Sequence, residues 1–139
     1  MSNVLASLHR LRSHTRQESG VVLRESERAR DQQQERLTEL TRGIRQAQAG
    51  VDPEDALGLV TYQAFRLREE LRERRERARL HQKERDVALN RERYTRCVRD
   101  ELSMQAVIEE KALREEEDLR RVEARNMDEV ASRLRKADQ

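Results

Sequence analysis

The residues that most often bind metals or act as nucleophiles are few in this chain and far apart. His9 and His14 are five positions apart, which places them on different faces of a helix, and His81 is distant from both. No cluster of cysteines or carboxylates joins them at the spacing of a zinc site. The single cysteine, Cys97, cannot form a disulfide within the chain. We therefore predict no metal centre and no cofactor, and we interpret Cys97 as an ordinary helical side chain.

Acidic side chains are abundant, but their pattern does not favour acid–base catalysis. No apolar run would form the kind of pocket in which a carboxyl group acts as a general acid or base. The sequence has neither a glycine-rich phosphate-binding loop nor a Gly-x-Ser-x-Gly nucleophile motif. These observations predict that the chain is not an enzyme.

Two stretches of the chain have a local excess of one charge. Residues 66–85 contain nine arginines or lysines against five glutamates, and residues 109–118 contain six acids against two bases. A basic stretch can bind nucleic acid through phosphates. Here, however, acids are dispersed among the bases and no aromatic residue is interleaved with them. We predict solvated or protein-binding helix surfaces at both places, and no nucleic-acid partner.

Composition favours long helices over a thick globular core. Charged residues make up 42% of the chain and aromatic residues 2%, and the net charge is only +2 because the two signs are mixed. Such low hydrophobicity also suits a disordered chain, but the regular spacing of the apolar residues argues for helix. The first residues contain no apolar run of the kind found in a signal peptide or membrane span. We predict a cytoplasmic protein that does not insert into the membrane.

One short stretch combines signals that stop a helix with signals that start one. Gly50 can adopt the left-handed conformation that closes a helix. Asp52 is a favourable N-cap, and Pro53 fits the first position of the following helix. The predicted elements, within one coiled-coil domain spanning 1–139, are a helix over about 3–49, a turn at 50–52 and a helix over about 53–137.

Less polar residues recur at steps of three and four on both sides of this turn, as in a coiled coil. The first row, which has hydroxyl and amide groups in its middle, comprises Val4, Leu8, Leu11, Thr15, Ser19, Val22, Ser26, Ala29, Gln33, Leu37, Leu40, Ile44 and Ala47. The second row comprises Leu57, Val60, Ala64, Leu67, Leu71, Ala78, His81, Ala88, Thr95, Leu102 and Ala106. The predicted fold is all-α, with two long helices forming an antiparallel coiled-coil hairpin whose second helix is the longer.

The unequal lengths of the two helices predict a surface for another protein. Folding the chain back at Val51 places Val4 near Arg99 and leaves the residues beyond about Glu101 without a partner helix. Apolar side chains continue there nonetheless, at Leu102, Ala106, Leu113, Leu119, Val122, Met127, Val130 and Leu134. We predict that the last third of the chain docks on another protein.

Two of the three aromatic residues lie just after the turn. Tyr62 and Phe65 are three positions apart and therefore share a helix face. They either close the end of the coiled coil, against Leu40, Ile44 or Leu57, or contact a partner, since exposed aromatic residues make effective binding hot spots. The sequence favours neither interpretation over the other.

Four stretches of the chain carry a family resemblance: the leucine-rich opening at 5–12, the Tyr-Gln-Ala-Phe stretch at 62–65, the Val-Ala-Leu run at 87–89 and the stretch Arg-Asn-Met-Asp-Glu-Val-Ala-Ser-Arg at 125–133. Through them the chain resembles the FliJ family of flagellar type III export proteins, and the stretch at 125–133 matches best. Length and two-helix architecture agree from end to end. The YscO-like stalk proteins of virulence type III secretion systems are structural relatives of similar size.

The resemblance implies a hairpin similar to the rotor stalk of rotary ATPases. Its implied role is to promote assembly of the export ATPase hexamer, to link that ring to the transmembrane export-gate protein, and to bind and recycle export chaperones at the inner face of the cell membrane. The implied gate contacts are Phe65, Tyr62 and Leu40. The implied ATPase-facing or partner-facing residues are Leu5, Leu8, Leu113, Leu119, Met127, Val130 and Leu134.

Some positions depart from the family pattern for gate binding. Family aromatic positions late in the first helix correspond to Gly43 and Ala47, and family apolar or imidazole positions correspond to Glu69, Arg72 and Glu76. These departures imply a gate of more charged complementarity. The alternatives to a flagellar stalk are a YscO-like stalk and a generic coiled-coil scaffold, a homodimer in which the stripe at 97–136 pairs with its own copy.

Overall fold

A computed structural model describes residues 2–139 of the chain as two helices joined by a short turn. Helix α1 spans Ser2–Ala49 and helix α2 spans Ala56–Ala137, so α2 is the longer, with 82 residues against 48. Alanine, leucine, arginine, glutamine and glutamate, which all favour helix, dominate both. Ion pairs one turn apart, such as Arg77 with Glu73 and Arg120 with Glu116, add support along α2. The predicted all-α fold with a longer second helix is confirmed.

The chain is divided into two compact units, each containing a segment of both helices. One unit is Arg16–Cys97, which includes the turn. The other combines the part of α1 that ends at Thr15 with Val98–Gln139. The assignment of 1–139 to a single domain stays a prediction.

Within the Arg16–Cys97 unit the two helices run antiparallel. The amide of Gln33 donates a hydrogen bond to the backbone oxygen of Glu76, 3.1 Å away, and Gly20 lies against Tyr94. The predicted reversal at Val51 placed Gln33 opposite Glu70 and Gly20 opposite Lys83, so the predicted register is wrong. Each α1 residue meets a residue farther along α2 than expected.

The turn supplies part of the reason, because it is longer than predicted. Asp55, not Asp52, caps α2: its side-chain oxygen accepts a hydrogen bond from the N–H of Gly58 at 3.1 Å. Asp52 instead accepts from the N–H of Glu54 at 3.0 Å, and its carbonyl accepts from the N–H of Asp55 at 3.2 Å. Pro53 therefore lies inside a β-turn, where its fixed φ is also favourable, and α2 begins three residues later than predicted.

The predicted left-handed Gly50 is also wrong. No glycine of the described chain has a positive φ. The N–H of Gly50 still donates to the carbonyl of Gln46, at 3.2 Å, and the N–H of Val51 donates to Gln48, at 3.4 Å. Helix α1 thus ends by tightening into a shorter hydrogen-bonded turn, and the carbonyls of Gln46 and Gln48 are satisfied without the left-handed conformation.

The face of α2 that packs on α1 differs from the predicted one. The predicted row is exposed: Leu57, Val60, Leu67, Leu71 and Leu102 have 78, 64, 64, 55 and 58% of their surface accessible. The packed face instead contains all three aromatic residues, which are half-buried, together with the buried Leu80 and Val87. Aromatic side chains bury more surface per residue than aliphatic ones. Burial of Tyr62, Phe65 and Tyr94 therefore outweighs the more regular aliphatic row.

The row predicted on α1 is correct near the turn and wrong near the start. Gln33 and Leu37 are buried, at 4 and 8% exposure, and Leu40 and Ile44 are half-buried. Toward the start, however, Val4, Leu8 and Leu11 are exposed, and Leu5, His9 and Ser13 occupy the packed face. The core is correspondingly small, and within the described residues no large side chain is fully buried.

The second unit pairs the first residues of α1 with the part of α2 that follows Cys97. Arg12 forms an ion pair with Asp100 at 3.0 Å, and the hydroxyl of Ser13 donates to Glu101 at 2.7 Å. Half-buried positions continue along α2, at intervals of three and four, as far as Lys111. The predicted limit of pairing near Glu101 is therefore wrong. Every residue of 112–139 is exposed.

Candidate protein-binding surfaces

A groove of about 410 Å³ lies between the two helices in the Arg16–Cys97 unit, near the turn. Phe65 from α2 meets Leu40 and Ile44 from α1 there, and all three side chains are half-buried. The remaining lining residues are Arg36, Glu39, Gly43, Glu69, Arg72 and Glu76. The groove therefore has an apolar floor within a charged wall, the arrangement of a small protein-recognition site.

Glycine and charged side chains define the walls of this groove. A Cβ added at Gly43 would meet nothing within 4 Å, so the α1 wall is open there. On α2, Arg72 pairs with Glu69 at 3.7 Å. Glu76 pairs with Arg79 at 3.2 Å and accepts a hydrogen bond from the amide of Gln33. Glu69, Arg72 and Glu76, the α2 positions that depart from the family pattern, therefore each form an ion pair within α2. They present both charge signs to the groove.

The two aromatic residues beside the turn contact each other. The ring centroids of Tyr62 and Phe65 are 6.5 Å apart with a tilt of 34° between the planes. The hydroxyl of Tyr62 is buried and has no hydrogen-bond partner among the described residues. Phe65 and Tyr62 also line a second groove, of about 520 Å³, with Ala47 and Leu57 among its walls. Phe65 is thus shared by two grooves, whereas Leu40 lines only the first of these two.

The exposed end of α2 forms a different kind of surface. Its large apolar side chains have more than half of their surface accessible, with values of 61% at Leu113, 63% at Leu119, 51% at Val122, 72% at Met127, 53% at Val130 and 63% at Leu134. Ion pairs such as Arg114 with Glu110, at 2.6 Å, support the helix between them. No described residue covers 112–139, so the helix alone presents these side chains to solvent.

The two candidate residues near the start of α1 differ in exposure. Leu5 is half-buried and lies on the packed face, while Leu8 is 39% exposed. They belong to the same unit as the exposed end of α2. The structure thus makes Leu8 available at the surface and gives Leu5 mainly a packing position.

These surfaces suit binding. In the part of the chain that the structure describes, no group of three or more His, Cys, Asp or Glu side chains is arranged to hold a metal ion. No helix there is both long and apolar enough to span a bilayer. Cys97 is half-buried and has a free thiol. What the geometry offers is apolar patches bordered by charge.

A family model described as "Flagellar FliJ protein" matches residues 1–138. The chain belongs to the FliJ family. Its members are helical, non-enzymatic components of flagellar type III protein export that work in the cytoplasm. No match was found among curated proteins or among solved structures.

Sequence reasoning missed two residues of the groove that Phe65 and Leu40 line. Arg36 and Glu39 line it but had been left out of the predicted surfaces, whereas Ile44 had been named among the residues against which Tyr62 and Phe65 could close the coiled coil. Arg36 lies one helical turn from Leu40, so its spacing was a signal, but Glu39 is the residue next to Leu40 and that spacing gives none. Finding them also required the correct register between the helices.

Proposed function

We propose that this FliJ-family chain is a stalk of the flagellar type III export apparatus. Its terminal segments bind subunits of the export ATPase and favour closure of the hexamer. The region beside the turn binds the transmembrane export-gate protein, which holds the chain at the inner face of the cell membrane. The same chain escorts export chaperones. Its mechanism is binding alone.

The observation that carries the proposal is the uncovered apolar side of the end of α2. Leu119, Met127 and Val130 lie on 28 consecutive exposed residues, 112–139. Exposed leucine, methionine and valine side chains along a stable helix cost solvation free energy, which docking on a second protein recovers. An ATPase ring offers several such docking sites around one helix, and occupation of more than one subunit by the same helix would favour the closed ring.

The groove beside the turn supports the second half of the proposal. Phe65 and Leu40 supply an apolar anchor, while Glu69 and Arg72 supply charges of both signs. A gate segment with one apolar anchor and flanking charges would fit this lining better than a purely apolar segment, because unpaired charges at an interface cost affinity.

The ATPase half is tested by adding the purified chain to the export ATPase and measuring hydrolysis and ring formation. We expect stimulation of both. The triple variant Leu119→Ser, Val130→Ser, Leu134→Ser should bind at least about tenfold more weakly, because apolar anchors dominate such interfaces. The matched control is Leu89→Ser, which removes a side chain of similar exposure, 48%, from the other unit. This half is refuted if the wild-type chain does not bind the ATPase. It is also refuted if the triple variant and Leu89→Ser weaken binding equally.

The gate half is tested with Phe65→Ala and the soluble part of the export-gate protein. We expect the variant to lose at least about tenfold in affinity, while its helicity by circular dichroism stays close to wild type. A large loss of helicity would instead assign Phe65 to closing the end of the coiled coil. Val21→Ala, which truncates an exposed residue of α1 outside the groove, is the control, and its gate affinity should be unchanged.

Hydrogen exchange can locate the ATPase contact. In the free chain, amides of 112–139 should exchange faster than those around the buried Leu80 and Val87, because no described residue packs on them. Adding the ATPase should slow exchange in 112–139. If that segment is already as protected as the Leu80 region in the free chain, the docking proposal fails.

A further inference from the structure

We propose that the outer face of α2 beside the turn binds a second copy of this chain, antiparallel to the first. This outer face consists of Leu57, Val60, Ala64, Leu67 and Leu71, all exposed and all within the Arg16–Cys97 unit. Their steps of three and four residues place them in one row. The half-buried Tyr62, Phe65 and Glu69, which face α1, lie on the other side of the helix.

The arginines near this row are left without acidic partners. Arg68, Arg74 and Arg75 are exposed, and no carboxylate among the described residues forms an ion pair with them. Their neighbours are paired, with Arg66 to Glu70 at 3.0 Å, Arg72 to Glu69 at 3.7 Å, Arg77 to Glu73 at 2.6 Å and Arg79 to Glu76 at 3.2 Å. The α2 carboxylates of this stretch are therefore used by the other arginines, and the outer ones need acids from elsewhere.

The matching acids lie at the opposite end of the same row. Asp52, Glu54 and Asp55 are exposed and directly precede Leu57. Asp52 and Asp55 each use one side-chain oxygen to hold the turn, and Glu54 forms no ion pair with a described residue. The outer face is thus acidic at its start and basic at its end, beyond Leu71.

This polarity selects both the partner and its direction. A second copy placed parallel would bring acid to acid and base to base, whereas an antiparallel copy brings Arg74 and Arg75 to the acidic turn at both ends. In this arrangement Val60 faces Leu71 and Ala64 faces Leu67 of the other copy, twice by symmetry. Ala64, near the centre, allows the helices to approach closely. A face that complements itself in this way closes on one partner and does not propagate.

The dimer leaves the groove of Phe65 and Leu40 free, because none of the five outer-face residues lines it. It covers one wall of the second groove, since Leu57 lines that groove together with Tyr62. With only five apolar side chains from each copy, the interface is small and belongs to the weak, reversible class. We therefore expect a concentration-dependent monomer–dimer equilibrium of the free chain.

Sedimentation velocity of the full chain over a wide concentration series tests the proposal. Wild type should pass from monomer to dimer. Leu67→Ser with Leu71→Ser should raise the dimer Kd by at least about tenfold, because the apolar centre is lost. Val21→Ser, which removes a 49% exposed valine from α1, should leave the Kd unchanged. Circular dichroism should show equal helicity for all three proteins, since none of these side chains is buried.

A charge exchange identifies the partner as a second copy. Arg74→Glu with Arg75→Glu should weaken the dimer, and adding Glu54→Arg to the same chain should restore part of the lost affinity, since Asp52 and Asp55 stay acidic. The partly restored variant should pair with wild type more weakly than two wild-type chains pair with each other. A chain that stays monomeric at every concentration overturns the proposal. Dimerisation that persists in the Leu67→Ser, Leu71→Ser variant also overturns it. The same holds for dimerisation that is lost in a Leu119→Ser, Val130→Ser variant. If the wild-type chain is monomeric and the Leu67→Ser, Leu71→Ser variant no longer binds another protein of the export apparatus, this face belongs to that interaction. The proposed self-association is then wrong.

Discussion

Between residues 67 and 76 of α2, the inner face carries charged side chains and the outer face carries apolar ones, which is the reverse of an ordinary packed helix. On the inner face, toward α1, Glu69, Glu73 and Glu76 have side chains only 18, 22 and 15% exposed. On the outer face, Leu67 and Leu71 are 64 and 55% exposed. The direction in which this helix packs is therefore not set by the most apolar row of its sequence.

The inner glutamates are tolerated because each has a specific partner. Glu73 accepts a hydrogen bond from Arg77 at 2.6 Å, and Glu76 accepts from the amide of Gln33 as well as pairing with Arg79. Partnered charges make this face permissible, and the aromatic residues before it and the aliphatic residues after it make it favourable. The comparison teaches that a few aromatic and aliphatic anchors outweigh a more regular row of aliphatic residues.

The largest expected effect comes from truncating one leucine to alanine on each of the two faces. Leu80→Ala, on the inner face at 8% exposure, should lower the free energy of unfolding by about 2–3 kcal/mol through lost burial and a cavity. Leu71→Ala, on the outer face, should change it by less than about 0.5 kcal/mol. Urea unfolding followed by circular dichroism measures both. Equal losses in dilute monomer would mean that both faces are packed.

A smaller effect tests the polar pair inside the coiled coil. Glu76→Ala should cost about 1–2 kcal/mol, because the buried amide of Gln33 loses its charged acceptor. Glu84→Ala is the control: Glu84 is 49% exposed, and among the described residues its ion-pair partner is His81, 3.4 Å away, so its loss should cost no more than about 0.5 kcal/mol.

The double variant Gln33→Leu, Glu76→Leu sharpens this test. Removing both partners leaves no unpaired buried group. The double variant should therefore be more stable than predicted by adding the effects of Gln33→Leu alone and Glu76→Leu alone. Strict additivity would show that the hydrogen bond between Gln33 and Glu76 contributes nothing to pairing the helices.

The sequence was sufficient for helix content, for the existence of the turn and for the family. Those features depend on local propensities and on signals such as the single proline, Pro53. It was insufficient for the packed face of α2 and for the register. Both depend on which residues of α1 meet α2, and Gln33 can reach Glu76 only in the observed register.

The candidate groove illustrates the same limit. Phe65 and Leu40 were identified through the family resemblance, and the structure places them in one groove. Tyr62 was identified with them but lines the neighbouring groove, with its hydroxyl buried. The later start of α2, which is capped by Asp55 instead of Asp52, accounts for only part of the change in register, because Gln33 lies opposite Glu76 and not opposite Glu70.

The smallest expected effect concerns two glycines inside α1 that differ in their surroundings. Gly43→Ala should raise the free energy of unfolding by about 1 kcal/mol, since alanine favours helix and the new methyl group meets nothing within 4 Å. Gly20 is buried, and a Cβ there would lie 3.3 Å from the Tyr94 ring. The same gain at Gly20→Ala is therefore offset by displacement of that ring, and the net change should be smaller or negative. Thermal unfolding of the two variants measures the difference. A larger gain at Gly20 than at Gly43 would show that Tyr94 does not pack on α1, and the aromatic contribution to the choice of inner face would have to be abandoned.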